Sequence, residues 1–137
     1  MPDADPIAVA LAFEKKINAG DVDGIVALMT RDGAFIDSMG TKITGQANLR
    51  QAWTQYFRMV PDYRSSHSEA FSQGSTVALF GEARGTFTHD GLMHRENAWS
   101  TPAAWRAVVE GGRIRVWQVY ADNERIRQIM RRVLPQG

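Results

Sequence analysis

The sequence predicts an α+β fold in which a curved, mixed or antiparallel sheet wraps around three helices. Through residue 60, apolar side chains recur every three or four positions, as in amphipathic helices, with one short strand pair between them. From residue 63 the period changes to two, and glycine-containing turns separate long segments. Helices followed by an antiparallel meander are typical of α+β domains. A sheet curved over helices forms a cone, and we expect a central pocket at its open end.

Two short helices are predicted at the start of the chain. Asp5-Pro6 begins the first, because aspartate accepts hydrogen bonds from free first-turn amides and proline suits the first helical position. Gly20 ends this helix, and Asp21 caps the next one. The apolar stripe of the first helix is Val9, Phe13 and Ile17. That of the second is Val22, Ile25, Val26 and Met29.

A short strand pair and a third helix follow. Residues 34–36 form an apolar strand after the Asp32-Gly33 turn, and residues 41–44 are its predicted partner. Residues 45–60 have the helical period, and Pro61-Asp62 ends the helix. The apolar stripe of this helix is Leu49, Trp53, Tyr56, Phe57 and Val60.

The remaining chain reads as a four-stranded meander and a short C-terminal helix. The predicted strands are residues 63–71, 76–88, 92–109 and 113–122. Asp90-Gly91 and Gly111-Gly112 are typical two-residue hairpin turns. Pro102 cannot donate to a strand ladder, so we expect a bulge or a sharp bend there. Residues 123–134 form the arginine-rich final helix.

Composition excludes several classes of function. With 137 residues and 44% hydrophobic residues, we expect one domain over residues 1–137 with a full core. A net charge of +1 favours neither nucleic acid nor an acidic membrane as a partner, and the absence of cysteine excludes disulfides and thiolate chemistry. The N-terminal segment has no signal-peptide pattern, and no apolar run reaches the length of about 20 residues that a membrane span requires. We therefore expect a soluble, cytoplasmic protein.

Two aspartates lie at predicted strand ends, where the cone opens. Asp37 precedes Ser-Met-Gly, so it is either a proton-transferring carboxylate or a turn residue. Asp122 is either an acid–base group or the N-cap of the final helix. Strand alternation separates Trp117 from Asp122, and the sequence leaves open which of the two faces is concave.

Histidines and tryptophans are the other candidates. His67 is either a ring base within the cone or a half-exposed strand residue. Four tryptophans are more than a core of this size requires, and those that share a face with Ala103 are predicted to line a flat pocket: Trp99 and Trp105. The residues His89, Asp90, His94 and Glu96 have a spacing typical of no known metal cluster, so no metal site is predicted.

Several motifs occur in the order typical of one protein family. They are residues 19–28 (AGDVDGIVAL), Asp32, residues 37–40 (DSMG), Gly45, residues 111–114 (GGRI) and residues 120–122 (YAD). In these motifs and in its element order the chain resembles the nuclear-transport-factor-2-like superfamily, in its SnoaL-like and ketosteroid-isomerase-like branch. The resemblance covers most of the chain and implies the cone fold. This fold carries isomerases, cyclases and plain binding proteins, so it leaves the activity open.

The resemblance implies positions for the chemistry. The proton-shuttling aspartate of the isomerases falls on Asp37, and the working aspartate of the cyclases falls on Asp122. The two oxyanion donors of the isomerases fall on Phe13 and about Ala103, which are apolar, so true steroid isomerase activity is disfavoured. The predicted substrate-binding residues are Phe13, Trp53, Tyr56, His67, Trp99, Ala103, Trp105 and Trp117.

Two functions follow as expectations. The first is an acid–base enzyme of the cyclase, isomerase or lyase type, which uses no cofactor and acts on a small hydrophobic, cyclic carbonyl compound. The second is a non-catalytic small-molecule-binding protein of the same fold. The resemblance also implies a homodimer formed through the sheet, which needs a second apolar face. The residues expected on that face are Val77, Leu79, Val108 and Val116.

Overall fold

The structure, a computed structural model that describes residues 5–134, contains helices packed on one face of a six-stranded sheet. The helices are α1 (Pro6–Asn18), α2 (Val22–Ala27), α3 (Gln46–Met59) and α4 (Glu124–Val133). The strands are β1 (Met29–Ile36), β2 (Lys42–Thr44), β3 (Arg64–Gln73), β4 (Thr76–Thr86), β5 (Ala98–Glu110) and β6 (Arg113–Ala121). The predicted α+β class and element order are confirmed.

The sheet is mixed, and its order places the ends of β1 and β6 side by side. The strand order is β2-β1-β6-β5-β4-β3, in which β1 and β6 run parallel and every other neighbouring pair is antiparallel. Ile36 at the end of β1 pairs with Gln118 of β6. Because parallel strands end at the same edge, the residues that follow β1 and β6 meet at one end of the cone.

The predicted helix starts are confirmed by side-chain caps. Asp5 Oδ1 accepts from the Ile7 amide at 3.1 Å, and Asp21 Oδ1 accepts from the Gly24 amide at 2.9 Å. Each such cap contributes about 1 kcal/mol by satisfying an otherwise free amide. Within residues 5–134, no helix has both the length and the apolar character needed to cross a membrane.

The core lies between α1, α3 and the concave face of the sheet. Phe13 of α1 and Trp117 of β6 are almost fully buried, and their ring centroids are 4.8 Å apart. Val77 and Leu79 also lie in this core, so their predicted place on the outer face is wrong. They alternate with the outer-face residues Ala78 and Phe80.

Two local predictions about β1 and the Asp90-Gly91 turn are wrong. The Asp32-Gly33 pair lies inside β1, where the register with β6 shifts between Met29 and Ala34. Asp90-Gly91 is part of a longer connection, because β4 ends at Thr86 and β5 begins only at Ala98. The Asp90 carboxylate holds this loop by accepting from the Leu92 amide at 2.9 Å.

Pro102 causes no bulge. It pairs with Glu82 in an unbroken β4–β5 ladder. On its other side, the β5–β6 ladder begins one residue later, at the pair of Ala103 and Ala121. The missing amide hydrogen of Pro102 therefore costs the sheet no bond on the β6 side.

Helix α1 is tied to β3, the strand at one edge of the sheet. The Asn18 side-chain amide donates to the Ser65 carbonyl at 2.8 Å, and its oxygen accepts from the Ser65 amide at 2.8 Å. Asn18 thereby satisfies both backbone groups of Ser65, as a neighbouring strand would.

Candidate functional site

A cavity of about 370 Å³ lies between α3 and the concave face of the sheet. Its wall is mainly aromatic, and all four tryptophans of the chain line it. The aromatic lining residues are Phe35, Trp53, Tyr56, Tyr63, Trp99, Trp105 and Trp117. Cavities of this size and apolar character hold small organic molecules.

Five of these rings contact each other in a continuous row. The ring centroids of Phe35 and Trp53 are 5.2 Å apart, and those of Trp53 and Tyr56 are 6.5 Å apart. The row continues from Tyr56 to Tyr63 at 5.3 Å, and from Tyr63 to Trp99 at 6.3 Å. These spacings are typical of favourable aromatic pairs, so the rings support each other as a wall.

The polar lining residues include a group at the shared end of β1 and β6. Asp37 and Ser38 follow β1, and Asn123 follows β6. The Asn123 side-chain amide donates to Ser38 Oγ at 2.6 Å, which joins the two segments. The parallel β1–β6 pairing thus brings residues more than 80 positions apart to one mouth of the cavity.

The Asp37 carboxylate has one engaged and one unengaged oxygen. Oδ1 accepts from the Met39 and Thr41 amides, both at 2.9 Å, which fixes the turn between β1 and β2. No residue of the described chain hydrogen-bonds to Oδ2. Among the described residues that line the cavity, Asp37 carries the one acidic side chain. It is therefore a turn residue through Oδ1 and remains available for chemistry through Oδ2.

The two lining tyrosines stay protonated. Burial raises the pKa of Tyr56 well above its usual range, and neighbouring Tyr63 raises it further. Burial also raises the pKa of Tyr63, with a smaller contribution from the Glu14 carboxylate, while the Trp105 indole N–H acts in the opposite direction. Both phenols are thus neutral and able to donate a hydrogen bond at any ordinary pH.

The structure brings six of the ten predicted site residues to the cavity. They are Asp37, Trp53, Tyr56, Trp99, Trp105 and Trp117. Phe13 lies beneath Trp117 in the core rather than on the lining. Ala103 shares the buried face of β5 with Trp99 and Trp105, yet it does not line the cavity either.

Asp122 lies outside the cavity. Its side chain is exposed, and Oδ1 accepts from the Glu124 amide at 2.9 Å at the start of α4. Its neighbours Ala121 and Asn123 do line the cavity. Because successive side chains of a strand alternate between faces, the concave face of β6 carries Trp117, Val119 and Ala121 and excludes Asp122.

His67 is part of a separate polar cluster between α1 and β3. Its Nδ1 lies 2.7 Å from Glu14 Oε1, and Ser65 Oγ donates to Glu14 Oε2 at 3.4 Å. Neither His67 nor Glu14 lines the cavity. The buried Glu14 was not among the predicted site residues, although it follows Phe13 and precedes Ile17 by three positions on the core face of α1.

Four polar residues that do line the cavity were also not predicted as site residues. Tyr63 and Asn123 stand at the ends of predicted elements, Ser38 lies in the turn, and Gln55 lies on α3. Asn123 could have been predicted, because it continues the alternating series that reaches Ala121 on β6. Among residues 5–134, no group of three or more histidine or acidic side chains is arranged to hold a metal ion.

Comparisons with known proteins identify the family and support the fold. The family model of the SnoaL-like domain matches residues 10–117. A search of the curated proteins finds no match. A solved structure of a putative SnoaL-like polyketide cyclase from Shewanella denitrificans is similar with 15% identity and a TM-score of 0.79, and the match covers 93% of this chain and 97% of that one.

Two other solved structures carry small molecules. A protein with a ketosteroid-isomerase-like fold from Catenulispora acidiphila, in complex with trimethylamine, has 17% identity and a TM-score of 0.71, over 82% of this chain and 83% of that one. TerC, co-crystallised with polyporic acid, has 15% identity and a TM-score of 0.74, over 92% of this chain and 98% of that one. At these identities the similarity shows the fold alone. Because the family model covers well over half of the chain, this protein belongs to the SnoaL-like domain family.

Proposed function

We propose that the protein is a cofactor-independent acid–base enzyme of the cyclase, isomerase or lyase type, acting on a small, hydrophobic, cyclic carbonyl compound. One observation carries the proposal: Asp37 is the single acidic side chain among the described residues that line an aromatic cavity, and its Oδ2 is unengaged. One of the similar structures is named a putative SnoaL-like polyketide cyclase, which is in line with this class of reaction.

The proposed step is a proton transfer at a carbon next to the carbonyl group. Asp37 Oδ2 takes the proton, the C–H electron pair moves into the carbonyl to form an enolate, and the resulting carboxylic acid returns the proton to carbon. The Met39 and Thr41 amides hold Oδ1, so the base keeps a fixed orientation. Flat aromatic walls favour a flat ring system as the substrate.

Deuterium exchange tests this step without knowledge of the natural substrate. The protein is incubated in D₂O with 2-tetralone or 1-indanone, and mass spectrometry counts the deuterium gained next to the carbonyl. We expect the wild type to accelerate the exchange and Asp37→Asn to lower the rate at least about 100-fold, since a general base typically contributes 10²–10⁴-fold. The asparagine oxygen can still accept from the two turn amides, so the turn is retained.

Asp32→Asn is the matched control. Asp32 is an exposed aspartate of β1 that does not line the cavity. Its variant should exchange deuterium at the wild-type rate. Equal rates for the wild type, Asp37→Asn and Asp32→Asn would show that Asp37 is not the base.

A non-catalytic binding protein is the second candidate. It is supported by Asp37 Oδ1, whose two turn amides give the residue a structural role. It is also supported by Phe13 and Ala103, which are apolar where the family resemblance implies oxyanion donors. The four lining tryptophans make their fluorescence a readout of binding. Quenching by a ketone that gains no deuterium would favour this candidate.

We also propose a homodimer formed through the outer face of the sheet. Phe71, Phe80 and Tyr120 are exposed there by 57%, 42% and 51%. The rings of Phe71 and Phe80 contact each other at 6.2 Å, and Phe80 and Tyr120 both pair with Ala104. Val108 and Val116 extend this apolar patch. A second copy of the same face would remove it from water.

Light scattering coupled to gel filtration tests the dimer. Phe80→Glu places a charge in the middle of the patch and should convert the protein to a monomer. Gln51→Glu adds the same charge at an exposed position of α3, on the helical side, and should leave the mass unchanged. A wild-type monomer, or a dimer that survives Phe80→Glu, would contradict the proposal.

A further inference from the structure

Four consecutive rings of the aromatic row carry hydrogen-bond donors, and together they form what we term the donor wall: Trp53, Tyr56, Tyr63 and Trp99. The indole N–H groups of Trp53 and Trp99 are buried and have no acceptor within residues 5–134. Neither tyrosine hydroxyl donates to an acceptor in the described chain. All four residues of the donor wall line the same cavity, and within residues 5–134 none of their four donor groups has an acceptor.

Such a concentration is unusual for a folded protein. Most buried polar groups are hydrogen-bonded, and a buried donor without a partner costs about 1–3 kcal/mol. Trp53 and Trp99 are only 7% and 6% exposed, so bulk water does not compensate them fully. The observation points to acceptor atoms supplied from outside the chain.

The side chains of the donor wall act as hydrogen-bond donors, whereas the carboxylate acceptor of the cavity lies elsewhere. Both phenols are protonated, so each hydroxyl keeps a proton to donate. The one carboxylate of the lining, Asp37, follows β1 at the mouth, where it lies with Ser38 and Asn123. A ligand of this cavity therefore meets tyrosine hydroxyl donors along the aromatic row and a carboxylate acceptor at the mouth.

We propose that the donor wall determines specificity by hydrogen-bonding to at least two carbonyl or hydroxyl oxygens of the ligand. The inference rests on the proposed function insofar as both use the same cavity. The two indole nitrogens are covered in the structure, so pairing them requires the rings to turn about their Cβ–Cγ bonds as the ligand enters. The tyrosine hydroxyls make the first contacts.

Binding of matched probe pairs tests the proposal. Isothermal titration compares 2-tetralone with tetralin, which differ by one oxygen, and 1,4-naphthoquinone with naphthalene, which differ by two. We expect 2-tetralone to bind at least about 10-fold more tightly than tetralin, and the quinone pair to show a larger ratio, since each unpaired donor costs about 1–3 kcal/mol. This predicted order of affinities is the opposite of the order expected from hydrophobicity alone, because the hydrophobic effect favours binding of the hydrocarbons.

Conservative variants assign the effect to the donor wall. Tyr56→Phe and Tyr63→Phe keep the rings and remove one donor each, and each should lower the oxygen-dependent ratio about 10-fold. Tyr120→Phe removes the remaining tyrosine hydroxyl, on the outer face of the sheet, and should leave the ratio unchanged. The melting temperature of each ligand-free variant serves as the folding control.

The outcomes separate this inference from the proposed function. Equal affinity for both members of each pair overturns the inference, even where Asp37-dependent exchange is observed. An oxygen preference lost in Tyr56→Phe or Tyr63→Phe supports the inference, even where no deuterium exchange occurs and the proton transfer is refuted. Failure of every probe to bind overturns both.

Discussion

Gly81→Ala is expected to destabilise the fold by about 3 kcal/mol or more, at the upper end of the cost of overpacking. Gly81 of β4 pairs with His67 of β3, where the β3 register shifts between His67 and Glu69. A Cβ at this position would lie 1.9 Å from the Ser66 carbonyl oxygen and 2.6 Å from the His67 Cα. Both obstacles are backbone atoms, which no rotamer change can move, so the bulge itself must be displaced.

Gly74→Ala is the control for this prediction. Gly74 lies in the turn that joins the same two strands, and no heavy atom lies within 4 Å of a Cβ built there. The expected loss of stability in Gly74→Ala comes only from the positive φ of 58° and is roughly 1–2 kcal/mol. Urea unfolding of both variants gives the comparison. If Gly81→Ala costs no more than Gly74→Ala, close contact at the bulge does not determine the residue at position 81.

Phe13→Ala is expected to cost about 3–5 kcal/mol, as for other fully buried aromatic residues. Phe13 has no exposed surface and packs against Trp117 at a centroid distance of 4.8 Å. Its loss leaves a hole beneath a lining residue of the cavity, so ligand affinity should fall together with the free energy of unfolding. The measurements are urea unfolding and the quenching of tryptophan fluorescence by 2-tetralone.

Phe13→Leu is the matched variant, because it keeps most of the apolar volume and should cost less than about 1.5 kcal/mol. If Phe13→Ala lowers the free energy of unfolding no more than Phe13→Leu does, the core has collapsed around the substituted position. In that case the volume of the Phe13 ring is not what supports Trp117.

Local signals were sufficient for the order of the elements and for the starts of the first two helices. Asp5 and Asp21 have the side chain and the position that free helix amides need, and both cap their helices as predicted. The position of Asp37 was predicted because it directly follows an apolar strand, and the end of that strand fixes where the carboxylate lies in the fold. Trp53 was placed on a helix face by its period, and that face also lines the cavity.

The pairing of strands that are distant in the chain could not be predicted from the sequence. The parallel register of β1 with β6 joins segments some 80 residues apart, and no local pattern specifies it. Ser38 and Asn123 meet only because of that register. The same limit explains Val77 and Leu79, since alternation identifies two faces of a strand and only the packed helices decide which one is buried.

Asp37 and Asp122 illustrate how strand register decides which side chains face the cavity. Both are aspartates that directly follow a strand, and the family resemblance implied a role for each. On β6 the concave face falls on Ala121, so the Asp122 carboxylate is directed away from the cavity and accepts from the Glu124 amide before α4, whose N-cap is Asn123. A shift of one residue in the register of β6 would have turned the Asp122 side chain to the concave face.

The Asn18–Ser65 contact has a consequence for solubility. β3 is an edge strand of ten residues, and such an edge is a template for strands of other molecules. Asn18 occupies both backbone groups of Ser65, so a foreign strand finds no partner at that position. Substitution of Asn18 by a residue without an amide would free one donor and one acceptor together. A side chain of α1 thus blocks edge-to-edge pairing at this one position of β3.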